Sequence, residues 1–429
     1  MKFGMAVFFW GGMENTAFLI FYVIITQKTP NFEPTKPSTR KMIPIYNTRI
    51  SAEVDAQLPQ HYALHQKYVA NQLIPLKPAQ ISALTDAVQL LYQLYTSATD
   101  QIIAEQKWKG IDMPYNMLDI INFTWQHKHQ HLPLCLRFDL AGGVANLPIK
   151  LLACHADNEV FDKLFEATIL QNHHLKINQL AQNAPFETAL VAQLSHLLAA
   201  NPQKNATLLL TYFAHQKPST ATRNTLTMVA QKAGFAIEHK AIEDVILSPT
   251  EGMVVDDGWD RYRNFDFCCL LADWEDLAFD HLPLLDSIAN LILHKKVVMI
   301  NPPYTMLWQS VGVQRYLWEW YKFNDLLLPT TLQPPARYSK YMAKPIWGVE
   351  GTHTTIFDEK GKVLLSNHEA YPPHSLIYQP LPLSPTDLQG NTYRTAVYYV
   401  PNKACTIGFR QGNLLPNPND KWVGSFTSE

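Results

Sequence analysis

Charge is scarce in this chain of 429 residues, and neither sign dominates it. Charged residues make up 17% of the sequence, the formal net charge is -2, and the isoelectric point is near 6.8. Proteins that bind nucleic acid or anionic membranes through a broad surface usually carry a marked excess of Lys and Arg. The composition therefore argues against nucleic acid and membrane surfaces as partners, and any anion-binding site must be local.

Cysteine is also rare, and its spacing fits neither a disulfide framework nor a zinc site. The odd number of cysteines and the lack of any Cys-x-x-Cys pair favour a reducing compartment. The five are Cys135, Cys154, Cys268, Cys269 and Cys405. We therefore expect a cytoplasmic protein.

The histidines do not form a convincing metal site either. His127, His129 and His131 alternate with polar residues in WQHKHQHLP, but no neighbouring Cys or acidic residue completes a ligand set. The pattern favours a solvated loop. The adjacent His173 and His174 are also predicted to hold no metal.

Long hydrophobic runs are missing as well, even from residues 1–41, which are the most apolar. The uncharged run from Thr16 to Thr26 has 11 residues, whereas a spanning helix needs about 20. A proline-rich basic linker follows. We favour a reading frame that starts at Met42, so that residues 1–41 are an untranslated or disordered extension. A membrane anchor flanked by the basic linker stays open but is not favoured.

Regular patterns begin after Met42. Apolar residues at helical spacing predict a long amphipathic helix over residues 77–106, opened by Pro78. Two extended runs around Gly142 and Gly143 predict a β-hairpin over residues 134–157.

The middle and end of the chain predict an α/β fold. TLLLTYF, a helix over residues 221–233 and FAIEHKAI form a strand-helix-strand unit, which favours a parallel Rossmann-like layer. KKVVMINP predicts a buried strand and residues 311–323 a helix. SLIYQPLPL, RTAVYYVPN and CTIGFRQGNLLPN are predicted to be successive sheet elements.

A lysine and two glycines form the clearest candidate anion site. In YMAKPIWGVEGTHTTI, residues 341–356, Lys344 ends an apolar strand just before Gly348 and Gly351. Glycines let the backbone turn tightly and present N–H groups to the phosphate that the lysine attracts. An ordinary β-hairpin explains the same pattern and stays open on these residues alone.

Seven short motifs, taken in order, resemble the glutathionylspermidine synthase family over about residues 44–429. They are LRFDLA at 136–141, KLLACHAD at 150–157, DWE at 273–275, LWEWY at 317–321, YMAKPIWGVEG at 341–351, LIYQ at 376–379 and TIGFR at 406–410. The resemblance implies a Rossmann-like pre-ATP-grasp portion at about 190–300 and an atypical ATP-grasp domain. Its nucleotide-binding lobe would be about 301–429, and the hairpin at 134–157 would contribute to the site.

The resemblance also implies an activity. Family members use ATP and Mg²⁺ to convert the glycine carboxylate of glutathione into an acyl phosphate, which an amine of spermidine attacks. The expected partners are therefore a carboxylate substrate of glutathione or peptide type and an amine such as a polyamine. Carried over by position, the catalytic residues are Arg137 and Arg410, the metal ligand is Asp139, and the nucleotide-binding residues are Lys344, Gly348, Glu350, Gly351 and Gln379.

Four positions depart from the family pattern. Its second metal-binding pair, Glu-x-Asn, falls on Ala153 and His155, and imidazole is a poor ligand for Mg²⁺. A family lysine falls on Val311, and the arginine of the glycine loop falls on Val349. His155 remains a weak candidate ligand, and Asp157 shares its strand face.

Three hypotheses follow. The first is an ATP-dependent carboxylate-amine ligase with an altered metal site. The second is a pseudo-ligase that keeps the fold and nucleotide binding as a regulatory or binding protein. The third is a membrane-anchored scaffold whose function lies in the apolar residues at the start.

Overall fold

The computed structural model describes most of the chain after residue 41. The described residues are 42–47, 69–156, 183–218, 220–256, 258, 261–335, 339–348, 351–367, 375–417 and 420–428. They belong to one compact unit, Arg40–Glu429. The predictions for residues 1–41, Asp157, the His173 and His174 pair, Val349 and Glu350 lie outside the described residues.

The described ranges contain eight α-helices and eighteen strands. The helices are α1 Pro78–Ala104, α2 Leu118–Gln126, α3 Asn183–Ala199, α4 Thr220–Lys232, α5 Trp274–Asp280, α6 Leu282–Leu293, α7 Thr305–Gln309 and α8 Gly312–Tyr321. The strands are β1 Tyr46–Asn47, β2 Val69–Leu76, β3 Leu136–Ala141, β4 Lys150–His155, β5 Thr207–Tyr212, β6 Ala236–Ala241, β7 Ile246–Ser248, β8 Gly252–Asp256, β9 Tyr262–Phe265, β10 Phe267–Leu270, β11 Val298–Ile300, β12 Tyr341–Pro345, β13 Thr355–Phe357, β14 Val363–Ser366, β15 Leu376–Pro380, β16 Thr392–Val400, β17 Ala404–Gly412 and β18 Lys421–Thr427. None of these helices is both long and apolar enough to cross a membrane.

A seven-stranded sheet forms the largest layer, in the order β1-β2-β18-β17-β16-β3-β4. Neighbouring strands are antiparallel except β2 and β18, which are parallel. The predicted hairpin is confirmed as β3 and β4. Because side chains alternate along a strand, β3 buries Phe138 and Leu140 on one face and directs Arg137 and Asp139 to the other.

Helix α1 covers the apolar face of this sheet. It begins at Pro78, as predicted, because proline suits the first turn of a helix, where no backbone donor is needed. The ring centre of Tyr95 on α1 lies 6.1 Å from that of Phe138 on β3, and the ring centre of Tyr92 lies 5.6 Å from that of Tyr399 on β16. The opposite, polar face of β3 is thereby left for the site.

The predicted parallel layer is confirmed. Strands β11, β10, β5 and β6 form a four-stranded parallel sheet, and α4 connects β5 to β6. Leu208 and Phe267 of this layer share a hydrophobic cluster with Tyr398 and Trp422 of the large sheet. A smaller antiparallel sheet of order β7-β8-β9 lies between β6 and β10 in the sequence.

The last predicted strands belong to two different sheets. Strand β15 joins β12, β13 and β14 in an antiparallel sheet of order β14-β13-β12-β15, whereas β16 and β17 lie in the large sheet. Pro380 ends β15, and Pro382 and Pro385 lie between β15 and β16; proline cannot donate the hydrogen bonds that would continue a ladder. The chain therefore leaves one sheet and enters the other here.

The histidine cluster is not entirely solvated, so that prediction is wrong for His131. Its exposure is 5%, its ring lies 6.0 Å from that of Phe123, and its carbonyl accepts a hydrogen bond of 2.8 Å from the Tyr304 hydroxyl. Burial, with smaller effects from nearby positive groups, lowers the pKa of His131 to about 4. One of these contacts comes from the preceding helix, through Phe123, and the other from Tyr304, which is distant in sequence.

Candidate anion-binding cleft

One cleft lies between the polar face of the large sheet and the sheet that contains β12. It encloses about 1010 Å³ of empty space, part of it open to solvent. Its polar wall includes Arg137, Asp139, His155, Lys344, Arg394 and Arg410, and its apolar wall includes Met342, Ile356, Leu381, Leu414 and Leu415. The structure thus gathers most of the residues singled out from the sequence into one volume.

Asp139 is held between two basic side chains. Arg137 donates from Nε to Asp139 Oδ1 at 2.8 Å and from its terminal nitrogen to Oδ2 at 3.1 Å, and His155 Nε2 lies 3.2 Å from the same Oδ2. Burial by itself raises the pKa of Asp139, but Arg137 and His155 hold that pKa well below its usual value. Asp139 is therefore an ionised carboxylate that is already engaged on both oxygens.

The register of the hairpin places the two family departures in the same site. Arg137 lies opposite His155, and Asp139 lies opposite Ala153. Cross-strand partners share a face of the sheet, so Ala153 directs only a methyl group towards the cleft beside the carboxylate.

Lys344 comes from the other wall. Strand alternation directs Met342 and Lys344 into the cleft, and Lys344 Nζ donates to the Leu152 carbonyl of β4 at 3.1 Å. Burial lowers the pKa of Lys344 to about 8, with Asp139 opposing the shift and Arg394 adding to it. A cation with this pKa changes its charge near neutral pH.

The glycine loop follows Lys344 directly. Gly348 and Gly351 line the cleft with φ angles of +144° and +77°, which favour glycine over other residues. A Cβ atom added to Gly351 would lie 2.7 Å from the Pro416 carbonyl oxygen. The need for glycine is therefore both conformational and steric.

Replacing Gly351 with alanine should destabilise the fold. The positive φ costs about 1–2 kcal/mol for a residue with a Cβ atom, and the contact with Pro416 adds to it. Gly390→Ala is the matched control, because Gly390 has a φ of +87° and nothing within 4 Å of the added atom. Urea unfolding should show a larger loss for Gly351→Ala; equal losses would mean that the Pro416 contact is unimportant.

Two buried arginines complete the basic wall. Arg394 of β16 lies opposite Arg410 of β17, with exposures of 6% and 4%. Arg394 pairs with Asp420, and Arg410 lies over the Trp422 ring at 5.6 Å. Arg394 was not identified as a site residue from the sequence, because it lies outside the family motifs. Its spacing of two and four residues from Ala396 and Tyr398 places all three on one strand face, which could have indicated it.

The side chain of Gln379 is not part of the cleft wall. It is buried and donates hydrogen bonds of 2.8 Å to Gln314 Oε1 and Thr330 Oγ1. Gln314 donates in turn to the Leu152 carbonyl that also accepts from Lys344. Gln379 thus helps to position this wall, and Val311, at the start of α8, lines the cleft as an apolar residue.

The described residues do not fit a Mg²⁺ site. Asp139 is the one acidic side chain among the described residues of the cleft wall, and its oxygens already accept three hydrogen bonds. Within the described ranges, no three His, Cys, Asp or Glu side chains come together to hold a metal ion. In nucleotide sites Mg²⁺ is usually held by one or two carboxylates together with phosphates and water, and His155 and Ala153 add no carboxylate to the already engaged Asp139.

The four sheets and eight helices of the described residues define a mixed α/β protein, which confirms the predicted fold class. The family described as glutathionylspermidine synthase preATP-grasp matches residues 50–421, so the chain belongs to this family. Membership supports a ligase-type activity. The family's ligases are ATP-dependent, usually with Mg²⁺, and act on small molecules such as glutathione and polyamines.

A solved structure is also similar. It is described as a "Putative gamma-glutamylcysteine synthetase" from Methylobacillus flagellatus KT, with 11% identity and a TM-score of 0.31. The match covers 78% of this chain and 87% of the other. These values are too low to transfer any property of that protein to this chain.

Proposed function

We propose that the chain is an ATP-dependent ligase that joins a carboxylate of glutathione or peptide type to an amine through an acyl phosphate. The observation that carries the proposal is the convergence of Lys344 from one wall with Arg137 and Arg410 from the other. Three cations around one volume suit a triphosphate and the charge that develops during phosphoryl transfer.

The cleft offers both parts of a nucleotide a suitable surface. Met342, Ile356 and Leu414 form an apolar area for a base, and the basic residues lie beside it. The γ-phosphoryl group would move to a substrate carboxylate oxygen, releasing ADP. The amine would then attack the carbonyl carbon, lose a proton and displace phosphate as the amide forms.

The basic side chains have distinct roles in this proposal. Lys344 binds the phosphates as a point charge, and Arg410 neutralises the transferring group. Arg137 is held at a fixed orientation by Asp139, so its positive charge stays at a fixed place in the cleft wall. Because the residues do not fit Mg²⁺, none of these roles depends on a metal.

The test is ADP formation by the full chain with ATP, glutathione and a series of polyamines. ADP should form only when both the carboxylate and the amine are present, and Arg410→Gln should reduce the rate strongly. Arg261→Gln, an exposed arginine outside the cleft wall, is the matched control. Failure of every carboxylate and amine pair to release ADP would contradict a ligase of this type.

A second function is favoured by the state of Asp139. Its two oxygens are engaged by Arg137 and His155, and the opposite position is Ala153. Loss of a metal-holding carboxylate would slow phosphoryl transfer by about a thousandfold or more. Tight ATP binding without ADP release would therefore support a pseudo-ligase that binds nucleotide as a regulatory protein.

Nucleotide affinity should depend on pH through Lys344. With a pKa of about 8 in the free protein, Lys344 is charged below pH 8 and loses its charge as the pH rises. A bound phosphate favours the charged form, so affinity should fall above pH 8 by up to about tenfold per pH unit. Titrations between pH 7.5 and 9.5 test this; the slope should vanish in Lys344→Met and persist in Lys340→Met, which changes an exposed lysine.

A further inference from the structure

We propose that the cleft binds the phosphate groups of a nucleotide with its own basic side chains, without a divalent metal ion. This rests on the proposed function only in that a nucleotide occupies the cleft. It adds that the negative charge of the phosphates is neutralised by the side chains of Arg137, Lys344, Arg394 and Arg410.

Hydrogen bonds already occupy most acceptor positions of the Asp139 carboxylate. A carboxylate has about four acceptor positions, and Asp139 uses three of them for two hydrogen bonds from Arg137 and one from His155. One position is therefore left for a metal ion. The opposite residue, Ala153, provides no side-chain oxygen, so a metal would find Asp139 as the single carboxylate among the described residues of the cleft wall.

A metal ion bound to Asp139 would disturb the ion pair between Arg137 and Asp139. The side chain of Arg137 is 2% exposed, and its ion pair with Asp139 uses both carboxylate oxygens. A metal that claimed more of Asp139 would leave a buried guanidinium without its counter-ion, which is strongly unfavourable. The ion pair therefore keeps the Asp139 carboxylate occupied and Arg137 in a fixed position.

Positive charge exceeds negative charge in the cleft. Its described wall contains three arginines, one lysine, one histidine and one acidic residue, and Asp420 behind the wall pairs with Arg394. Arg394 and Arg410 lie directly opposite each other, although like charges in that arrangement repel. The charge of Arg394 also reaches Lys344, whose pKa it helps to lower.

These observations favour a highly charged anion as the ligand. An anion between Arg394, Arg410 and Lys344 would relieve their mutual repulsion. Mg²⁺ neutralises part of the charge of ATP, so the metal-free nucleotide offers the cleft more charge to balance.

The direct test is a calorimetric titration of the full chain with ATP, once in EDTA and once in excess Mg²⁺. The dissociation constant in EDTA should be equal to or lower than that in Mg²⁺. Affinity about tenfold or more weaker in EDTA would overturn this inference and leave the proposed nucleotide site intact. Absence of binding in both buffers would overturn the nucleotide site as well.

A gain of metal dependence provides a second test. Ala153→Glu adds a carboxylate opposite Asp139, where it would repel phosphate and offer Mg²⁺ a ligand. We expect affinity in EDTA to fall by about tenfold and to recover in Mg²⁺, whereas the neutral Ala153→Gln control should show no response to Mg²⁺. Unchanged affinity of Ala153→Glu in both buffers would contradict phosphate binding beside Asp139.

A third test uses two variants that leave position 153 unchanged, so its outcome does not depend on whether a larger side chain fits there. Arg410→Gln should weaken ATP binding in EDTA by about tenfold, because it removes one of the charges that replace the metal. Arg261→Gln should leave it unchanged, since Arg261 is exposed and outside the cleft wall. Equal affinities for the two variants would overturn the inference.

Discussion

Replacing Lys344 with methionine is expected to weaken ATP binding about a hundredfold. The side chain enters the cleft from β12, where it is half-buried and lies near Asp139 and Arg394. Removing one partner of a desolvated charge pair typically costs about 2–5 kcal/mol, and a hundredfold change corresponds to about 2.7 kcal/mol. Calorimetric titration at pH 7.5, where Lys344 is charged, measures the effect.

Two controls separate this loss of affinity from a loss of structure. Lys340→Met removes an exposed lysine just before the same strand and should bind ATP like the wild type. Because burial disfavours the charge of Lys344, Lys344→Met should not lower the melting temperature. Wild-type affinity in Lys344→Met would remove this lysine from every version of the nucleotide site.

Replacing Arg394 with methionine should lower the free energy of unfolding by about 3–5 kcal/mol, because it breaks a buried ion pair. The side chains of Arg394 and Asp420 are 8% and 3% exposed, and Arg394 also donates to the Asn413 carbonyl at 3.1 Å. Without the guanidinium, Asp420 would be a buried charge without its cation. It would still accept a hydrogen bond of 3.1 Å from the backbone N–H of Asn417. Chemical denaturation measures the loss.

The double variant Arg394→Met with Asp420→Asn identifies the cause. Asparagine keeps the acceptor oxygen for Asn417 but removes the buried charge, so most of the lost stability should return. Asp420→Asn alone leaves Arg394 without its anion and should also be destabilising. A loss below about 1 kcal/mol in Arg394→Met would mean that the pair behaves like an exposed one.

The local parts of the site could be predicted from the sequence. Arg137 and Asp139 are two residues apart, so strand alternation alone places them on one face, and the structure confirms the hairpin that carries them. The glycine turn after Lys344 is also a local pattern. Both features depend on residues that are close in the sequence, so the local spacing of residues is enough to predict them.

The rest depended on pairings between distant segments. Arg394 faces Arg410 only because β16 and β17 pair in one particular register. Gln379 turns away from the cleft because Gln314 and Thr330, both distant in sequence, accept its hydrogen bonds. The backbone carbonyl of His131 likewise accepts a hydrogen bond from Tyr304, a residue far away in the sequence. No spacing rule encodes these partners.

The place of β18 in the large sheet also bears on how the cleft is made during translation. Residues 421–427 are synthesised after the other six strands, yet β18 lies between β2 and β17 rather than at an edge. The ribosome must therefore synthesise every residue up to 427 before β18 can join β2 to β17. A premature stop codon before residue 421 would divide the sheet and remove Asp420 from behind Arg394.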